Sequence, residues 1–61
     1  MTPEMRSALE ALRDVMKEHE AILIGYGGIS FILNGSINLN DQELFTHISP
    51  ITISERLEAG E

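Results

Sequence analysis

Two histidines are the first candidates for chemistry in this sequence. His19 stands between Glu18 and Glu20, and His47 follows Glu43 by four positions. Imidazole beside a carboxylate can bind a metal ion or transfer protons near neutral pH. However, two histidines without any cysteine are few for a structural metal site, and the serines lack a nucleophile-elbow motif. We therefore predict no catalytic residue, no metal and no cofactor. A small metal-dependent enzyme is a third alternative that rests on the histidines alone.

The glycine-rich run 25–28 is the second candidate. It lacks the Lys-Ser/Thr pair of a phosphate-binding P-loop and the spacing of a dinucleotide fingerprint. Arg56 is the one basic residue after position 17, and in an oligomer it could bind a small anion beside a glycine turn or a helix N-terminus. The possible ligand contacts are therefore Tyr26, Gly27, Gly28 and Arg56. We expect no pocket of about 300 Å³ or more unless subunits form it jointly.

The charge balance limits the partners. Ten acidic residues against four basic ones give a net charge of −6. Binding to a nucleic-acid backbone needs clustered Lys and Arg, and anionic membrane surfaces repel an acidic chain. No apolar run reaches transmembrane length, and the pattern of a signal peptide is missing. We expect a cytoplasmic protein with neither nucleic acid nor membrane as its partner.

The N-terminal segment predicts an amphipathic helix over about 3–19. Thr2 can cap it, and Pro3 suits its first position. Apolar residues then recur at helical spacing and predict a buried stripe, formed by Met5, Ala8, Leu9, Leu12, Val15, Met16 and His19.

The most apolar run predicts a β-hairpin over about 21–33, with a two-residue turn at Gly27-Gly28. This turn pairs Tyr26 with Ile29, Ile24 with Phe31, and Ile22 with Leu33. Alternation along the strands places these six residues on one face, which we assign to the helix. Leu23 and Ile32 then share the opposite face.

A second turn signal, Asn34-Gly35, precedes a possible third strand over 36–40. A two-residue turn would place Ile37 and Leu39 on the face away from the helix. A three-residue turn, Asn34-Gly35-Ser36, would place both on the helix side, and the sequence does not choose between these registers.

The C-terminal part contains two helix signals. Residues 40–43 resemble a capping box and predict a short helical turn or a structured loop. Ser49 as a cap and Pro50 at the first position predict a helix over about 50–59, ended by Gly60. The β-branched residues of 51–53 favour a strand as the alternative.

Together these elements predict a single α+β domain over residues 1–61. One helix packs on a two- or three-stranded antiparallel meander, followed by the short C-terminal helix. A 61-residue chain without disulfides gains little stability from its own core. Because one helix covers only one face of the hairpin, we expect a homo-oligomer. Its predicted interface is the second apolar face, formed by Leu23, Ile32, Ile37 and Leu39.

In length, acidity, lack of cysteine and helix-then-hairpin layout, the chain resembles small phage-encoded accessory proteins of the anti-defence type. This resemblance implies a non-enzymatic homo-oligomer that binds and blocks a host or defence protein. The alternative it implies is an oligomeric sponge that sequesters a small anionic nucleotide signal at a subunit interface. No motif carries functional residues over, and a small bacterial protein such as an antitoxin-like partner would have the same layout.

Overall fold

The first and last elements of the computed structural model are helices, at the positions that the sequence predicts. Helix α1 spans Pro3–His19 and helix α2 spans Pro50–Ala59. Four strands connect them: β1 (Leu23–Tyr26), β2 (Ile29–Ile32), β3 (Ser36–Asn40) and β4 (Phe45–Ile48). The structure describes residues 1–33, 35–40 and 45–59. This arrangement confirms the α+β class and the third strand over 36–40.

Local capping sets both ends of α1. The Thr2 hydroxyl accepts a hydrogen bond from the Met5 N–H at 3.1 Å, which satisfies one of the free donors of the first turn. At the other end Glu20 adopts a left-handed conformation with φ 53°. The Ala21 N–H then donates to the Met16 carbonyl at 2.8 Å, a bond typical of a Schellman motif. The helix therefore stops at His19 and the chain turns into β1.

A reciprocal cap begins α2. The Ser49 hydroxyl accepts from the Thr52 N–H at 3.4 Å, and the Thr52 hydroxyl accepts from the Ser49 N–H at 3.3 Å. With Pro50 at the first position, this cap confirms the predicted helix, and the strand alternative over 51–53 is wrong. Gly60, the predicted terminator, lies outside the described residues.

The four strands form two nested antiparallel pairs. β2 pairs with β3, and the strands that flank them in sequence, β1 and β4, pair with each other. The outer ladder opposes Leu23 to Ile48 and Tyr26 to Phe45. The segment 45–48 is thus a strand, and the sequence analysis predicts no strand there. The capping-box prediction at 40–43 falls largely on residues 41–44, which lie outside the described residues.

The predicted 21–33 hairpin is wrong, because β1 and β2 belong to different pairs. A two-residue turn of the predicted type needs φ > 0 at both central positions. Of the two glycines only Gly27 has a positive φ, at 87°. The Gly27-Gly28 segment therefore carries the chain from one ladder to the next without pairing Ile24 with Phe31.

The β2–β3 register differs from both predicted ones. Ile32 opposes Ser36, and Phe31 opposes Ile37, so three residues, 33–35, separate the strands. The register shifts between Ile29 and Ser30, which leaves Leu39 as an extra residue in a β-bulge. Ile37 consequently shares the face of Phe31, as the predicted three-residue turn would have it.

The core lies between the two helices and one side of the strands. α1 and α2 pack against each other, and β3 and β4 approach α2. The Arg6 guanidinium also donates to the Leu57 carbonyl at 3.0 Å, which ties the first turns of α1 to the end of α2. The buried side chains come from every element except β1 and β2: Met5, Leu9, Met16, Leu39, Thr46, Ile48, Ile53 and Leu57.

The predicted helix-facing side of the hairpin is only partly correct. Phe31 packs against the core, and Ile29 does so as well. Ile22, Ile24 and Leu33 are exposed instead. The reason is the pairing of β1 with β4. Thr46 and Ile48 of β4 are buried on the core side of the ladder, and Ile24 lies on the opposite side. In α1, Val15 and His19 of the predicted stripe are likewise exposed.

Candidate functional site

Strand β1 presents apolar side chains to solvent. Its residues Leu23 and Gly25 oppose Ile48 and Thr46, which are buried. Since residues directly opposite in a ladder share a face and successive residues alternate, Ile24 and Tyr26 lie on the side away from the helices. Their exposed fractions are 59% and 80%.

The β2–β3 ladder, which is a separate two-stranded sheet, also has a side that faces away from the core. Phe31 faces the core, so its neighbour Ile32 faces outward and is 77% exposed. The adjacent outward pair is polar: the Ser30 hydroxyl donates to Asn38 Oδ1 at 2.7 Å. We call the residues Ile24, Tyr26 and Ile32, which face away from the core in their respective ladders, the outer face.

The sequence around the outer face carries no charge. All 14 charged residues of the chain lie in 4–20 or 41–61, and none lies between Ala21 and Asn40. The acidic surface of the protein is therefore interrupted by an uncharged stretch that contains β1, β2 and β3. Exposed apolar groups within such a stretch are typical of protein interaction sites.

Of the four residues of the predicted oligomer interface, two lie in or against the core and two are exposed. Leu39 is only 6% exposed and belongs to the core, and Ile37 packs against it. The prediction that these two face outward is wrong, because the β2–β3 register turns Ile37 to the side of Phe31 and the bulge places Leu39 in the core. Leu23 and Ile32 remain exposed.

A pocket of about 610 Å³ is lined by residues of β3, of α2 and of the start of α1. A single chain thus forms a pocket that the sequence analysis expects only between subunits. Its wall combines apolar side chains with hydroxyl, amide and guanidinium groups: Met1, Thr2, Met5, Gly35, Ser36, Ile37, Asn38 and Arg56.

Arg56 lines this pocket and is fixed by the Asn38 carbonyl, which accepts from its Nε at 2.7 Å. The neighbouring glycine turn is that of Gly35, and the neighbouring helix N-terminus is that of α1. The other three predicted ligand contacts, Tyr26, Gly27 and Gly28, do not line the pocket. The structure therefore separates Arg56 from the glycine run with which the sequence analysis grouped it.

No family model, no curated protein and no solved structure matches this chain.

The two histidines occupy separate elements. His19 ends α1, and His47 lies in β4 opposite Ile24; both are exposed. Across residues 1–33, 35–40 and 45–59, no group of three or more His, Cys, Asp or Glu side chains could hold a metal ion. Nor does that part of the chain contain a helix long and apolar enough to cross a membrane.

Two features of these surfaces were missed by the sequence analysis. The outer face was missed because Ile24 was predicted to face the helix. The absence of charged residues from 21–40 was a sequence signal for an interaction surface in this stretch. The pocket residues Thr2, Ser36 and Asn38 carry no motif. Packing of α1, β3 and α2 brings them together, and short-range patterns do not reveal such packing.

Proposed function

We propose that this chain is a non-enzymatic interaction protein that works as a homo-oligomer and binds and blocks another protein. The observation that carries the proposal is the outer face, where Ile24, Tyr26 and Ile32 expose 59–80% of their surface. The resemblance to phage accessory proteins indicates a host or defence protein as the target class.

The chemistry of the outer face favours a protein partner. Tyrosine and isoleucine bury large apolar areas, and tyrosine loses little conformational entropy when it is fixed. Burying apolar surface contributes about 25 cal/mol per Å² before the costs of association. Covering residues 21–40 desolvates no ionised side chain of that stretch. A partner with an apolar, tyrosine-accepting groove fits this surface.

The test is capture by the immobilised full chain from a lysate of the natural host, with the wild type compared with two variants. Tyr26→Asp places a charge on the outer face, whereas Ile51→Asp places one at an exposed position of α2. We expect the same host protein with the wild type and with Ile51→Asp, and at least a tenfold lower yield with Tyr26→Asp. Circular dichroism shows that each variant is folded. Equal yields from all three would remove the outer face from the proposal.

The second candidate function is sequestration of a small anionic nucleotide, and the pocket beside Arg56 favours it. A volume of about 610 Å³ is within the range of small-molecule sites. Met1, Met5 and Ile37 offer an apolar wall for a ring, and Arg56 with the N-terminal end of α1 supplies positive charge for a phosphate.

A nucleotide that binds only the folded chain raises its melting temperature. We expect AMP or a cyclic dinucleotide to raise the Tm of the wild type and of Arg13→Gln, but not of Arg56→Gln. Arg13 is the control because its exposed ion pair with Asp14, at 3.0 Å, lies on the side of α1 outside the pocket lining. If none of the nucleotides shifts the Tm of the wild type, this second function is excluded for them.

A further inference from the structure

Strand β1 has an open edge in the described part of the chain. In a two-stranded antiparallel sheet, each strand turns half of its N–H and C=O groups away from its partner. β3 and β4 approach each other and α2. β1 and β2 are thus the two strands whose second edges face neither strand, and β1 has β4 as its one ladder partner in the described part of the chain.

Strand β1 also lacks the features that protect edges. Proteins usually guard such edges with charged side chains or proline. The sequence Leu23–Tyr26 contains neither, and three of its four residues are exposed and apolar. The adjoining residues 21, 22 and 27–40 are uncharged as well.

We propose that two copies of this chain pair through the β1 edges, antiparallel and about a two-fold axis, to form a four-stranded sheet in the order β4-β1-β1-β4. The inference deepens the proposed function and rests on it, since it names the subunit contact of the homo-oligomer and enlarges the surface available to a target.

The charge distribution limits where two copies of the chain can meet, and it favours this edge. Two chains of net charge −6 repel each other wherever their charged segments meet. The contact with least repulsion uses the stretch 21–40, and β1 is the strand of that stretch with the most exposed apolar residues. Backbone hydrogen bonds along the edge then supply attraction without the need for complementary charges.

Symmetry fixes which faces come together. Two antiparallel strands related by a two-fold axis keep the same side of the sheet, because the axis is perpendicular to it. The helices of both copies therefore lie on one side, and both outer faces lie on the other. Opposed residues must share a face, so one residue of β1 opposes its own copy at the axis. Pairing centred on the four-residue strand places the axis beside Ile24 or Gly25.

Pairing doubles the outward area of the sheet. At about 3.3 Å per residue and about 4.8 Å per strand, the outward side of β1 and β4 measures roughly 13 by 10 Å in one copy and roughly 13 by 19 Å in the pair. Ile24 and Tyr26 of both copies then lie on the same side of one continuous sheet.

The first measurement is the mass in solution, by light scattering and sedimentation of the untagged chain from micromolar to millimolar concentration. We expect twice the 6.8 kDa monomer mass for the wild type. Ile24→Lys sets two like charges close to the axis and should return the mass to that of the monomer. Ile51→Lys, at a position of α2 that is 71% exposed, should remain dimeric.

Cysteine cross-linking keeps the inference testable if Ile24→Lys fails to fold. The chain has no cysteine, so single replacements are unambiguous. We expect Ile24→Cys alone to give a covalent dimer when the axis passes through Ile24. If it passes through Gly25, a mixture of Ile24→Cys and Tyr26→Cys gives the covalent dimer. Ile51→Cys should give none.

Three results would overturn the inference: a monomer at every concentration, a dimer that Ile24→Lys leaves intact in folded form, or cross-linking that is equal at Ile24 and Ile51. These readouts need no target protein. A β1-linked dimer that captures no host protein contradicts the blocking function alone, whereas a monomer that captures one contradicts the β1 contact alone.

Discussion

Replacing Leu9 by alanine is expected to lower the free energy of unfolding by about 2–5 kcal/mol. Leu9 is completely buried, on the side of α1 that packs against α2. Truncation removes apolar contacts and leaves a cavity that two packed helices fill incompletely. Small domains have a total stability of about 5–15 kcal/mol, so this single change removes a large part of it.

Urea denaturation followed by circular dichroism measures this effect, at one protein concentration for all variants because self-association adds to apparent stability. Val15→Ala is the control on the same helix. Val15 is exposed, so its truncation should change the free energy of unfolding by less than about 0.5 kcal/mol. Similar losses from the two variants would contradict the observed orientation of α1.

Both helices could be predicted because their signals are local. Thr2 with Pro3, and Ser49 with Pro50, place a side-chain cap and a proline at successive positions, and the structure contains both helix starts there. The spacing of Met5, Leu9 and Met16 identified the buried side of α1 for the same reason.

The strand pairing could not be predicted, because its partner is distant in sequence. Gly27-Gly28 satisfies the rules for a tight turn, and the local reading therefore joined β1 to β2. The structure instead pairs β1 with β4, which lies some twenty residues later in the sequence. No turn signal in the sequence links these two strands. The alternation of Thr46 and Ile48, both buried, was the available signal for that strand.

The same difference between local signals and long-range packing applies to the candidate sites. Arg56 was selected from its charge and position, and the structure does place it beside a glycine turn and a helix N-terminus. Which glycine turn it meets depends on the packing of β3 against α2. The outer face depends on the β1–β4 ladder, so an error in one pairing moved Ile24 from the surface to the predicted core.

Replacing Ile48 by alanine is the test of that ladder, and we expect it too to cost about 2–5 kcal/mol of unfolding free energy. Ile48 is fully buried and opposes Leu23 in the β1–β4 ladder. If residues 21–33 formed a closed hairpin and 45–48 a loop, the same truncation would cost little. Ile51→Ala makes the identical change at a site that is 71% exposed and should change stability by less than about 0.5 kcal/mol. Urea denaturation of both variants at one concentration measures this: a large loss at Ile48 alone is the result expected from the β1–β4 ladder, whereas small losses at both would contradict the burial of Ile48 in that ladder.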